Sequence, residues 1–295
     1  MIKNIPKVTV LLATFNGVRF LEEQLTSLID QRDVNIEVLV NDDGSTDGTL
    51  EILETWRAKG LIVSISHSKG LGPTRAFLTL LKSCDQKEFV AFCDQDDVWV
   101  VDKLSLQVNS LSQSTPMMST CLRRYIDETG NVIGKSKDLQ KPPSFKNSVF
   151  ENIAPGNTVL LNNPAIKVIN SFDNPPINHY DSWIYLLMAT FGKVFFISSY
   201  LVKYRLHSSN YVGLRKKSIN GLREALKNYL NQQTFLFEKK SEFLTQDQKE
   251  HLIFISSFVK ESSLRMRCAM LRKLRICRQS TLDEILFKLL ILFTR

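Results

Sequence analysis

Apolar runs closed by polar turns, with apolar positions at helical spacing between them, pattern the chain from residue 7 to residue 99. The run Lys7-Val8-Thr9-Val10-Leu11-Leu12-Ala13 reads as a buried strand, because a parallel strand covered on both faces needs no polar alternation. It stops at Thr14-Phe15-Asn16-Gly17, a glycine-containing turn, and Phe20, Leu21, Leu25, Leu28 and Ile29 then recur as one face of a helix. Residues 36–40 repeat the strand signal and end in Asn41-Asp42-Asp43-Gly44-Ser45-Thr46-Asp47-Gly48-Thr49; Leu50, Ile52, Leu53 and Trp56 mark the helix that follows, with Gly60 as its stop. A third strand, 61–65, leads into His67-Ser68-Lys69-Gly70-Leu71-Gly72-Pro73-Thr74-Arg75 and a helix through Ala76, Phe77, Leu78, Leu80 and Leu81. The fourth apolar run, Phe89-Val90-Ala91-Phe92-Cys93, halts abruptly in Asp94-Gln95-Asp96-Asp97.

Strand and helix alternating in this way imply a parallel sheet with helices on both faces and right-handed crossovers, the α/β class. Each polar turn named so far follows a strand, so the turns share the C-terminal edge of the sheet, where open α/β sheets bind ligands. Residues 114–156 are less regular, and Pro142-Pro143 and Gly130-Asn131 predict loops and an antiparallel hairpin. Further strands are expected at 158–161, 194–197 and 200–204, and a helix at 181–189 with Trp183, Ile184, Leu187 and Met188 on it. From Ser218 the texture is helical, at 222–236, at 246–278 with a bend, and at 282–293.

Charge divides the chain more sharply than length does. Residues 1–213 carry 21 Lys+Arg against 22 Asp+Glu, net −1, whereas 214–295 carry 17 against 8, net +9. The expected organisation is a catalytic part at 1–213 and a basic helical extension at 214–295. Residues 285–293 are too short, and too interrupted by Lys288, to span a bilayer. With Arg265, Arg267, Arg272, Lys273, Arg275 and Arg278 nearby, they suit peripheral contact with acidic head groups at the inner face of the cell membrane. An amphipathic pair covering the sheet, or forming a homodimer, fits the same pattern. No nucleic acid is expected as a partner, since the basic segment lacks an aromatic stacking pattern. Met1 to Val10 shows no signal-peptide layout, so the catalytic part is expected in the cytoplasm. The five cysteines are odd in number and lack paired metal-ligand spacing, which argues against a disulfide framework and a zinc site.

The carboxylates at the strand ends carry the candidate chemistry. Asp94 and Asp96 straddle one residue and can reach a common point, where Mg2+ or Mn2+ would offset their repulsion and phosphates would complete its shell. Asp97 is then left as the cap of a helix through Trp99 and Leu104. Asp42-Asp43-Gly44 offers carboxylates to the imide N–H of a base such as uracil or thymine, and equally suits a ligand-free turn. Gly70 and Gly72 with Arg75 resemble a phosphate loop, although the third glycine of a dinucleotide fingerprint is missing. Asp181, at a helix start beside His179 and Trp183, suits either a general base or ordinary capping. His207 by itself reads as an imidazole satisfied by local backbone ahead of a metal ligand.

Taken in order, these stretches resemble family 2 glycosyltransferases of the GT-A fold, and most of all the rhamnosyltransferase-type branch that assembles bacterial surface polysaccharides. The resemblance rests on Leu12-Ala13-Thr14-Phe15-Asn16-Gly17, Asp42-Asp43-Gly44-Ser45, Gly70-Leu71-Gly72-Pro73-Thr74-Arg75 and Asp94-Gln95-Asp96-Asp97-Val98-Trp99. It continues through Gly156-Asn157-Thr158, His179-Tyr180-Asp181-Ser182-Trp183 and Tyr204-Arg205-Leu206-His207-Ser208-Ser209-Asn210, covering residues 7–213 and leaving the tail outside.

The resemblance implies a mostly parallel, Rossmann-like central sheet flanked by helices, with a C-terminal helical extension. It implies an inverting, metal-dependent transfer of a sugar from a nucleotide-diphosphate donor, dTDP-rhamnose in this branch, to a lipid-linked or growing glycan acceptor. Thr14, Asn16, Asp42, Asp43, Gly72, Arg75 and Asp94 would bind the donor. Asp94, Asp96 and His207 would hold Mg2+ or Mn2+, which reverses the reading of His207 from its residues alone. Asp181 would be the base, and Gly156, Asn157, His179 and Trp183 would meet the acceptor. Two positions depart from the pattern: Ala76 replaces an Asn after the loop arginine, and Tyr180 splits a His-Asp pair. A nucleotide-sugar-binding or scaffold protein of the same fold that has lost turnover is the alternative they leave open. An aspartyl phosphohydrolase also places Asp-x-Asp at a strand end, but wants it on the first strand with a later lysine.

Overall fold

A computed structural model of the chain describes residues 5–208, 219–260, 263–273 and 277–293. The expected boundary between residues 213 and 214 lies outside the described residues, as do Ser209, Asn210 and Arg275.

The expected alternation forms as read: β1 (Lys7–Thr14), α1 (Leu21–Ile29), β2 (Asn35–Asp42), α2 (Thr49–Ala58), β3 (Ile62–His67), α3 (Gly72–Lys82) and β4 (Phe89–Asp94). β1 lies parallel between β2 and β4, and β3 adds in parallel to β2. Side chains alternate across the sheet, so Val8, Val10 and Leu12 fill one hydrophobic cluster with α1 and α2, while Leu11 fills another with α3.

Past β4 the chain departs from expectation. Trp99 is not in a helix capped by Asp97; Val98–Trp99 is a short strand, β5, and the helix α4 (Lys103–Asn109) begins only after Asp102. The expected hairpin is β6 (Met117–Ile126) with β7 (Val132–Lys135). After the short helix α5 (Phe145–Ser148), the strand β8 (Leu160–Asn162) runs antiparallel to both β4 and β6. Asn162 then caps α6 (Asn163–Asn170) by accepting the Ala165 N–H, with Pro164 in the first turn. The helix α7 (Tyr180–Phe191) follows, and the two late strand signals merge into one strand, β9 (Lys193–Arg205), parallel to β6 and kinked by register shifts.

The strand order is β3-β2-β1-β4-β8-β6-β9-β5, with β7 attached to β6. The reversal at β8 decides where the site is. Because β8 is antiparallel to β4, the turn Gly156–Thr158 that precedes it lies at the C-terminal edge of β4. β6 runs antiparallel to β8, and β9 parallel to β6, so the end of β9 reaches that same edge.

The extension comprises α8 (Ile219–Lys240), α9 (Gln246–Lys260), α10 (Leu264–Lys273) and α11 (Thr281–Phe293), so two helices stand where one bent helix was expected. Leu226, Leu236, Leu252 and Phe287 join the cluster that holds Phe172 and Trp183. Phe235 from α8 packs on Trp183 with ring centroids 5.9 Å apart, a contact worth about 0.5–1.5 kcal/mol beyond its area burial. Among the described residues no helix is long and apolar enough to cross a membrane.

Candidate active site

At the ends of β1 and β2 the expected base-binding residues hold one another. Thr14 Oγ1 and Ser45 Oγ donate to Asp42 Oδ2 at 2.8 and 2.6 Å, and the N–H groups of Gly44 and Ser45 donate to Oδ1 at 3.1 and 2.8 Å. Asp42 is fully buried, and four protein donors take up its acceptor capacity. Asn16, with φ 46°, uses Oδ1 to accept the Thr46 N–H at 2.9 Å and so joins the β1 turn to the β2 turn. Gln95, between the two motif aspartates, clasps the Phe15 peptide, accepting its N–H at 2.9 Å and donating to its carbonyl at 3.0 Å. A Cβ on Gly17 would fall 2.3 Å from Gln95 Oε1, so only glycine leaves that clasp intact.

The expectation for the glycine loop needs correction. The N–H groups of Leu71 and Gly72 both donate to the Asp43 carboxylate at 2.8 Å, and Ser68 Oγ donates to it at 2.7 Å. Gly70 and Gly72, at φ 69° and 74°, allow the loop to wrap the carboxylate. Burial alone would raise the Asp43 pKa, but these donors outweigh it and hold the pKa below the usual carboxylate value. The loop thus cradles Asp43, and its amides do not face a phosphate. Arg75, half-buried in the first turn of α3, makes no hydrogen bond or ion pair with another described residue and is available to an anion.

The end of β4 gathers the acidic centre. Burial, and next the Asp96 carboxylate, push the Asp94 pKa up to about 7, with Asp181 adding to the rise and Arg123 opposing it. Asp96 Oδ2 lies 2.8 Å from His207 Nε2, and the Phe20 ring packs against the imidazole at 5.0 Å. Arg205, only 1% exposed, builds this corner. Its Nε donates to the Asp96 carbonyl at 3.0 Å, one terminal nitrogen donates to the carbonyls of Asp127 and Glu128 at 3.2 Å each, and the other pairs with Glu23. Its plane lies over Phe20 at 4.7 Å. Asp97 is fully buried, accepting from Asn157 Nδ2 and the Arg205 N–H, so it ties β9 and the Gly156–Thr158 turn to β4 where a helix cap was expected. Burial, with Asp96 and Asp94 close by, raises its pKa well above the usual value.

Asp181 sits in the first turn of α7, within electrostatic reach of Asp94. Burial raises its pKa against the opposing pull of His179, the Ser182 N–H, Arg123 and the Gly156 N–H. Tyr180 turns the other way, stacking on Phe77 and Phe92 at 4.6 and 5.0 Å. Its hydroxyl fills the space over Gly156, where a Cβ would lie 1.8 Å away. The residue that splits the His-Asp pair is therefore core, and it leaves His179 exposed beside Asp181.

Three of the four residues expected to meet the acceptor are buried. Gly156 is buried to admit Tyr180, Asn157 is buried on Asp97, and Trp183 is fully buried between Phe172 and Phe235. Only His179 is exposed. Arg123, in contrast, had no sequence signal. The pairing of β6 with β9 brings it over the Tyr204 ring at 4.7 Å and makes it a counter-charge to both Asp94 and Asp181.

Among the described residues no three His, Cys, Asp or Glu close into a complete metal cage. Asp94, Asp96 and His207 still suit Mg2+ or Mn2+, which take one or two carboxylates and leave the rest of the shell to substrate phosphates. Burial, and next the Asp96 charge, push the Asp94 pKa up to about 7, and a cation beside the two carboxylates would oppose that rise.

The family model described as Glycosyl transferase family 2 matches residues 9–164, just over half of the 295. The chain belongs to glycosyl transferase family 2. It is an enzyme, a nucleotide-sugar-dependent glycosyltransferase. This glycosyltransferase is similar to dTDP-rhamnosyl transferase RfbG of Shigella flexneri, 29% identical over 218 residues that cover 68% of this chain and 73% of that one. It is also similar to UDP-Glc:alpha-D-GlcNAc-diphosphoundecaprenol beta-1,3-glucosyltransferase WfgD of Escherichia coli, 26% identical over 208 residues, 69% and 78% of the two chains. Its fold matches that of the mannosyltransferase PcManGT from Pyrobaculum calidifontis in complex with GDP-Man and Mn2+. That match has a TM-score of 0.54 at 16% identity and covers 91% of this chain and 84% of that one.

Proposed function

We propose that this glycosyltransferase transfers rhamnose from dTDP-rhamnose, with inversion, to a lipid-linked or growing glycan acceptor in cell-surface polysaccharide synthesis. The observation that carries the mechanism is the gathering of two acidic groups at one place: Asp94 and Asp96 with His207, and Asp181 within electrostatic reach of Asp94. The donor follows from the name of the RfbG relative, and the lipid-linked acceptor from that of WfgD.

Thr14 and Asp42 floor the base pocket, with Asn16 and Asp43 shaping the loops around it, and Arg75 takes the donor phosphates. Asp94, Asp96 and His207 would hold Mg2+ or Mn2+, which would supply positive charge toward the departing diphosphate. Asp181 accepts the proton of the acceptor hydroxyl. The hydroxyl oxygen bonds to the anomeric carbon from the face opposite the diphosphate, the bond from that carbon to the phosphate oxygen breaks, and the nucleoside diphosphate leaves. A carboxyl raised by burial is a stronger base than an exposed one, which suits Asp181 to this step. His179, exposed beside it, meets the acceptor, and Arg123 keeps the crowded carboxylates in register. The extension brings the enzyme to the inner membrane face through Leu282, Ile285, Leu286 and Leu289, all about half exposed or more on α11.

Purified enzyme with Mn2+ and a panel of dTDP-, UDP- and GDP-sugars should release dTDP from dTDP-rhamnose, and chelation should stop it. Asp96→Ala and Asp181→Ala should each lower turnover by about 100-fold or more. Undiminished turnover in both variants would sink the mechanism, and release from a different donor alone would sink the rhamnose assignment. Replacing the four exposed α11 residues by Gln should move the enzyme from membrane to soluble fractions; unchanged partitioning, or loss of a dimer instead, would count against membrane contact.

A further inference from the structure

The C-terminal extension reaches the turn that carries Asp181. Asn228 and Gln232 lie four residues apart on one face of α8, and both are buried. Asn228 Oδ1 accepts the Asn178 N–H at 3.0 Å, and Gln232 Nε2 donates to Ser182 Oγ at 2.8 Å. Ser182 Oγ in turn donates to the His179 carbonyl at 3.0 Å, and Thr74 Oγ1, next to Arg75 on α3, donates to the Asn178 carbonyl at 2.7 Å. Residues 178–182 are thus held at both ends by α8 and from the donor side by α3. Tyr229, between the two α8 residues, lies within electrostatic reach of Asp181.

Gln232 shows what this contact demands. Fully buried, its Oε1 has no hydrogen-bond partner among the described residues, which costs stability that an apolar side chain of the same size would not lose. The single bond to Ser182 is what the amide contributes in return.

We propose that Asn228 and Gln232 are positioning residues for Asp181, fixing residues 178–182 so that its carboxylate meets the acceptor hydroxyl, and that α8 is therefore part of the active site. The proposal rests on the reading of Asp181 as the base. A misplacement of about 1 Å at a reacting group costs on the order of 100-fold in rate, so two hydrogen bonds from a distant helix suffice to matter.

The test compares wild type with Gln232→Met, which keeps length and loses the N–H, with Gln232→Leu as a second packing variant, and with Asn228→Ala. Backbone hydrogen exchange, read on the full chain without substrate, should speed up at residues 178–184 by about tenfold while β1 and β4 stay protected. With dTDP-rhamnose and Mn2+, kcat should fall about 10- to 100-fold. Affinity for dTDP should hold, and the melting temperature of Gln232→Met should stay level or rise. Unchanged exchange at 178–184, or a fall in kcat matched by falls in dTDP affinity or melting temperature, overturns the proposal. Full turnover in Asp181→Asn would remove the base reading itself, whereas an inactive Asp181→Asn beside a fully active Gln232→Met overturns only the role of α8.

Discussion

Replacing Arg205 by lysine keeps the charge and removes the fork, and the geometry under the acidic centre sets the size of the effect. The guanidinium bonds three main-chain carbonyls, of Asp96, Asp127 and Glu128, at 3.0, 3.2 and 3.2 Å. An ammonium at one point reaches one or two of them, and each part-buried carbonyl left without a donor costs about 1 kcal/mol, the low end of the range for buried groups. The Glu23 side chain is 55% exposed, so its ion pair with Arg205 adds under about 1 kcal/mol. Arg205→Lys should therefore lose about 2–3 kcal/mol, a fall in melting temperature of about 4–6 °C for a chain of this size. Because the bond to the Asp96 carbonyl sets the backbone whose carboxylate meets His207, Mn2+ affinity measured by titration with dTDP present should also fall, by about tenfold. Glu23→Gln is the control and should lose under about 1 kcal/mol. An Arg205→Lys melting within about 2 °C of wild type, or a Glu23→Gln as destabilised as Arg205→Lys, would refute the reasoning.

Gly156→Ala places a Cβ 1.8 Å from the Tyr180 hydroxyl and should destabilise by about 1–3 kcal/mol in thermal melts, part of which Tyr180→Leu in the same chain should restore. Glu37 provides a pH test. Burial raises its pKa, but Lys7 and Lys87 at 2.7 and 2.5 Å, with Thr9, outweigh that and lower it from 4.5 to about 2. A folded pKa below the unfolded one stabilises fully above pH 4.5 and loses that contribution as pH falls toward about 2. The contribution is at most about 3 kcal/mol, and less because Lys7 is largely solvated. The stability gap between wild type and Glu37→Gln should narrow across that window in acid titrations; a gap independent of pH would refute the assignment.

The strand-end residues were legible because their places depend on neighbours in sequence. A strand that ends at Asp42 or Asp94 presents the next few residues at the sheet edge whatever lies across it, so the sequence pattern located Thr14, Asn16, Asp94 and Asp96 there. It could not show which polar group each would bond. Asp43 reads as a ligand carboxylate until the glycine loop folds over it, and those loop amides read as a phosphate cradle until Asp43 occupies them. Gly156, Asn157 and Trp183 read as acceptor contacts in sequence and are buried in space, because burial at those positions depends on Tyr180, Asp97 and Phe235 from other elements.

By itself the sequence determined the alternating α/β succession, the edge on which the site forms, the acidic centre and the basic helical extension, since each follows from spacing within a short window or from counted charge. Only the tertiary structure decided the reversal at β8, which brings the end of β9 with His207 to Asp96 and carries Arg123 within electrostatic reach of Asp94 and Asp181. It alone decided that α8 packs on the turn that carries Asp181. These are pairings between residues far apart in the chain, and periodicity reports only which face of an element is apolar, not which distant element will cover it.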